Sequence, residues 1–161
     1  MTDSVTQKIE LLQSQEAPSL KQHLNLALAY FNLGQFETVL MHVKKASWKN
    51  PTDCALLRKL LITPVIKAKH YSLAADLLKL ILSEHPKSLR DLHSLSSLLM
   101  RENKRAESCL YLEQIIGLEP DNYSVVAQLI QQRYQNKHYE EAASLAIAYE
   151  QAFIQHERLL K

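Results

Sequence analysis

An all-α fold, an α–α superhelix or solenoid of about four helix-turn-helix repeats, is predicted by three observations. Pro51, Pro86 and Pro120 stand 35 and 34 residues apart, each at the end of a helical pattern. Between them, apolar residues recur at the spacing of one helix face. Only two glycines, Gly34 and Gly117, serve 161 residues, and alternating β-branched runs are absent, so a sheet would lack both turns and strands. A unit of this length is one helical hairpin that cannot bury its apolar face alone, so neighbouring units must stack.

The elements follow in order within a single domain, 1–161. Ser4 and Gln7 have the spacing of a capping box, and Val5, Ile9 and Leu12 make a stripe that runs out before Pro18. A leading helix is therefore expected in 1–18, covering the end of the first unit. Repeat 1, 19–52, carries Leu26, Ala27 and Tyr30, then Phe36, Val39, Val43 and Ala46, with helices over 20–33 and 36–49. Ala27 is small where helices approach closely, Gly34 supplies a left-handed helix stop, and Pro51 cannot continue the second helix. Ala27, Tyr30 and Val43 are expected to be buried.

Repeat 2, 53–87, has Leu61, Ile62 and Val65, then Tyr71, Ala74, Leu78 and Ile81, on helices over 52–68 and 71–84. Pro64 falls inside its first helix, where a proline removes a hydrogen bond at a cost of about 3 kcal/mol. That helix is expected to kink at 60–63 or to split. Repeat 3, 88–121, offers Leu92, Leu95, Ser96 and Leu99, then Ser108, Leu112 and Ile115, on helices over 88–101 and 104–117. Repeat 4, 122–161, has Val126, Leu129, Ile130 and Tyr134 on a helix over 121–136, and no closing proline, as an end unit would. Its last helix, 138–160, bears one stripe of Ala142, Leu145, Tyr149, Ala152, Phe153 and His156, and a surplus one of Ile147 and Ile154.

The chain resembles the tetratricopeptide repeat family over Leu20 to about Phe153. The resemblance is carried by Leu26-Ala27-x-x-Tyr30 with Gly34, by the turn Leu118-Glu119-Pro120-Asp121-Asn122, and by Tyr139-Glu140-Glu141-Ala142. It departs from the family's pattern at His23, where Trp is preferred, at Ser96 and Ile130, where Gly or Ala is, and at Val39 and Ser108, where Ala is. The resemblance implies a concave groove lined by the first helix of each unit and used to hold a protein segment. By it, and by helical geometry, the groove residues are Leu24, Leu28, Phe31, Lys59, Ile66, Lys67, Arg90, His93, Met100 and Arg101. Leu24, Leu28 and Phe31 would form an apolar patch, and Lys59, Lys67, Arg90 and Arg101 a basic cradle for acidic residues. The family's clamp for a chaperone C-terminal carboxylate is not reproduced: Leu24, Leu28 and Leu60 occupy its polar positions and Arg90 alone matches.

Composition narrows the function. A net charge of +2 with interspersed signs and no basic block argues against nucleic acid. Residues 1–12 carry Asp3, Lys8 and Glu10 with no apolar run like a signal peptide, and no stretch approaches membrane-spanning length, so the cytoplasm is the expected compartment. Cys54 and Cys109 lack CxxC spacing and are expected as small buried hydrophobes. His85 with Asp91 and His138 with Glu141 sit at turns, and no phosphate loop, nucleophile elbow or HExxH occurs, so no cofactor, metal or catalytic activity is expected. The function expected is that of a non-catalytic adaptor or assembly scaffold for a protein or peptide partner. The alternative is a small type III secretion chaperone of the translocator kind, which has a similar plan but tends to be acidic. Ile147 and Ile154 are expected to support a homodimer or a contact with another chain.

Overall fold

The computed structural model describes residues 2–13, 19–46 and 50–159; the expected helix ends at 49 and 160, and the side chains of Leu12 and His156, lie outside them. The described residues are helical and contain no strand. They form two compact units, Met1–Pro86 and Lys87–Lys161.

The first unit opens with α1 (Thr2–Gln13), which starts ahead of Ser4, so Ser4 lies inside the helix rather than capping it. Its Ile9 and Val5 pack on Leu26, Ala29 and Tyr30 of α2 (Leu20–Asn32) and on Leu33 at its C-terminal cap. A capping box does start α2: Ser19 N donates to Gln22 Oε1 at 2.6 Å, and Gln22 N donates to Ser19 Oγ at 3.4 Å. Next comes α3 (Phe36–Lys45), packed antiparallel on α2, with Phe31 against Phe36 near the turn and His23 against His42 at the far end. Ala27 and Val43 are fully buried, while Tyr30 is half-buried and stacks on His42 at 5.1 Å.

Pro51 opens α4 (Pro51–Leu57) rather than merely closing the preceding helix, with Asn50 Oδ1 accepting from Asp53 N at 2.8 Å as the cap. Pro64 neither splits the helix nor stops it. The chain passes through a π turn, Arg58–Ile62, into α5 (Thr63–Lys67) with helical dihedrals throughout. In an α-helix the ring of Pro64 would meet the Leu60 carbonyl, which would also lose its donor. Widening the turn instead gives Thr63 N the Arg58 carbonyl, and the Thr63 hydroxyl donates to the same oxygen at 2.9 Å. The unit ends with α6 (Tyr71–Glu84), where Leu77, Leu78 and Ile81 are fully buried.

The second unit holds α7 (Leu89–Arg101), α8 (Arg105–Leu118), α9 (Tyr123–Gln135) and α10 (Tyr139–Leu159). Its core is Leu92, Leu95, Leu99, Leu112, Ile115, Val126 and Leu129. Ser108, where the family prefers Ala, is buried because its hydroxyl donates to the Ser96 carbonyl at 2.9 Å. Cys54 and Cys109 are buried and not disulfide-bonded; burial pushes the Cys109 thiol pKa up against the pull of Arg133.

A second periodic signal lies in the turns. Gly34, Lys69, Asn103 and Lys137 have φ of 75°, 63°, 59° and 65°, one in each helical hairpin. The residue after each donates its N–H five residues back, as in Gln35 to Tyr30 (3.0 Å), His70 to Val65 (3.1 Å), Lys104 to Leu99 (2.8 Å) and His138 to Arg133 (2.9 Å). These are four copies of one Schellman stop, only the first of them built on glycine.

Candidate functional site at the open face of the last repeat

On α9, Tyr123, Ala127, Ile130 and Tyr134 fall on one stripe, opposite the buried Val125, Leu129 and Gln132. Antiparallel to it, α10 supplies Tyr139, Ala142, Ala143, Ala146 and Phe153. Together with Ser124 and Gln131 they line a cleft of about 910 Å³ that contains no charged side chain. Its ends are aromatic: Tyr134 meets Tyr139 at 5.2 Å, and Tyr123 meets Phe153 at 5.8 Å. Its walls are largely alanine. Small residues let a helix backbone approach closely, and the aromatic ends offer large apolar area, so the cleft suits the apolar stripe of an amphipathic helix. The pair is held from behind by Arg133, whose guanidinium donates to Glu113 of α8 at 2.6 Å and lies 3.6 Å from Glu141 of α10.

The origin of this cleft is visible in the first repeat. Leu24, Ala27 and Phe31 lie three repeat periods before Ala127, Ile130 and Tyr134. There, α2 packs on α4 and the π turn, and the face is closed: Leu24 is fully buried and Phe31 sits between Phe36 at 5.8 Å and His70 at 5.2 Å. In the fourth repeat no described element covers the same face, and Tyr134 is 64% exposed.

The expected groove residues separate accordingly. Leu24 and Phe31 do not line an open groove: Leu24 is fully buried, Phe31 is buried against Phe36 of α3 and His70 of the turn before α6, and Leu28 is half-buried. The leading helix does not cover that patch either, since it lies on Leu26 and Ala29. In the first unit Lys59 and Lys67 are exposed and Ile66 is half-buried. In the second, Arg90, His93, Met100 and Arg101 share one face of α7, the two arginines exposed and the other two half-buried. Ile147 and Ile154 are 72% and 41% exposed, on a shallow hollow of about 430 Å³ beside the cleft, with Ala146 and Phe153 belonging to both.

Sequence reasoning missed the cleft because it counted Ile130 and Tyr134 as core of their own repeat. The available signal was that α9 is apolar on two sides, one more than its own hairpin can bury. Among the described residues no group of three or more His, Cys, Asp or Glu side chains is arranged to hold a metal. His138 and Glu141 approach only as a pair, at 3.4 Å. No described helix is long and apolar enough to cross a membrane.

This is the architecture of tetratricopeptide-like helical repeat proteins, and solved structures agree. The chain is similar to MamA of strain AMB-1 at 20% identity, with 89% of this chain on 79% of that one and a TM-score of 0.52. A second MamA structure aligns at 12% identity, 97% of this chain and 88% of that one, TM-score 0.56. A putative kinesin light chain of Podosopora anserina with nearly identical TPR-like repeats aligns at 18% identity, 98% and 87%, TM-score 0.52. At these identities the likeness is one of fold. No protein-family model matches the sequence, and no curated protein does.

Proposed function

We propose that this protein is a non-catalytic interaction module, an adaptor or assembly scaffold that docks a helical protein segment on its fourth repeat. The observation that carries this reading is the uncharged, aromatic-ended cleft between α9 and α10, which repeats a face that is closed in the first hairpin. Aromatic anchors such as these concentrate binding energy once a partner desolvates them. The exposed Arg90 and Arg101 of α7, in the same unit as the cleft, would add a salt-sensitive contribution for a partner with acidic residues flanking its apolar stripe. Two buried cysteines outside any disulfide suit a reducing compartment such as the cytoplasm.

The test is affinity purification from the source cells with the parent and with Ala127→Arg, which fills the cleft from an exposed helical position. A partner retained by the parent should fall at least about tenfold with the variant, the loss expected when a hot-spot pocket is blocked. Partners that remain at parental levels would remove the cleft from the function.

A further inference from the structure

We propose that the occupant of the α9–α10 cleft is a second copy of this chain, paired about a two-fold axis with the Ile147–Ile154 ridge of each α10 in the other's cleft. This rests on the reading of the cleft as a docking surface and adds the identity of what docks.

The first ground is what closes the equivalent face inside the chain. There α2 packs on α4 and the π turn, the first helix of a neighbouring repeat of the same protein, and Leu24 is fully buried. The face is therefore shaped for a helix of its own kind. The second ground is that groove and ridge lie side by side. Ile147 and Ile154 are two turns apart, about 10 Å along the helix, and Ala146 and Phe153 join their hollow to the cleft. A surface carrying both a cleft and exposed isoleucines can pair isologously, the Ile147 and Ile154 side chains of one copy entering the cleft of the other, and the reverse.

Charge points the same way. Self-pairing places every charge of the face near its own duplicate, which penalises charged surfaces. Here no charged side chain lines the cleft and only Glu150 lines the adjoining hollow, so a second copy meets little repulsion, while a charged segment would find no counter-charge. Closure is the fourth ground. Head-to-tail stacking would need an open apolar face on the α1 side of α2, where Ile9 and Val5 already cover Leu26 and Ala29. A closed pair follows rather than a filament.

Sedimentation velocity on the full chain, up to about 0.2 mM, tests this, a range that detects a weak micromolar dimer. The parent should move from 18.5 kDa toward twice that mass as concentration rises. Ile147→Glu with Ile154→Glu removes the ridge, and Ala127→Arg blocks the groove. All three positions are exposed, so circular dichroism should be unchanged. Each change should weaken the pair at least about tenfold, as loss of an interface anchor does. A parent that stays at 18.5 kDa throughout overturns the second copy as occupant. The docking reading then stands or falls separately, on whether Ala127→Arg releases a different protein. A dimer that persists in Ala127→Arg, even if the ridge variant dissociates it, overturns the cleft as its seat.

Discussion

Single residues decide how much of this surface is usable. His42 lies between Tyr30, stacked at 5.1 Å, and His23, at 6.4 Å between rings, and its pKa is lowered first by burial, then by His23 and Lys45. The neutral ring is the form the fold prefers. Its contribution to stability is present above the ordinary value of 6.5 and is lost as pH falls through the lower folded value. Thermal melts should show the parent losing stability from pH 7 to pH 5 by more than His42→Gln does. Equal losses in the two proteins would mean that the ring carries no pH-linked stability. The same scale shows what the sequence could reveal. Burial of Ala27 and Val43 was readable because a small residue and a β-branched one sat at helical spacing beside a glycine stop. Burial of Leu24 and Phe31 was not, because one-dimensional periodicity gives the side of a helix but not which neighbour covers it.

Among the elements, the helix bearing Pro64 shows how a local conflict is absorbed. The π turn over Arg58–Ile62 accommodates the proline while keeping Leu61, Ile62 and Val65 all buried. Removing the bulge would turn α5 by about one residue, roughly 100°, and carry Val65 off the core. Pro64→Ala should therefore retain the bulge and change unfolding stability by less than about 1 kcal/mol, well short of the roughly 3 kcal/mol that an uncompensated interior proline costs. Denaturant titration measures this, and a gain near the larger figure would show that the proline is strained where it stands. From sequence, a kink or a break was the natural expectation, because the spacing of Leu61, Ile62 and Val65 is compatible with either turn. The Schellman stops were half legible in the same way. Gly34 announced its own left-handed turn, but Lys69, Asn103 and Lys137 adopt the same conformation through the repeat's hydrogen bonds, at a cost of about 1 kcal/mol or more each. Their regular spacing confirms the period that Pro51, Pro86 and Pro120 suggested.

At the scale of the molecule, a repeat architecture makes stability a sum of local terms rather than the property of one core. Each compact unit has its own buried set: Leu57, Leu61, Leu77 and Ile81 before Pro86, and Leu92, Leu95, Leu112 and Leu129 after it. The polar ties described are also local, with Ser108 bound to Ser96 and Arg133 to Glu113 inside the second unit. A cavity cut into one unit should then be felt there first. Leu95, fully buried in α7, is a suitable site, and Leu95→Ala should cost about 2–5 kcal/mol. Native-state hydrogen exchange should show that loss in the amides of α7, α8 and α9, while those of α2, α3 and α6 keep most of their protection. An equal loss in both sets would mean that the chain opens as one cooperative body. In that case a partner seated on α9 and α10 would stabilise the first repeat as strongly as the last. If the loss is confined, binding at the cleft should protect the second unit preferentially, which gives the docked state a signature independent of any change in mass.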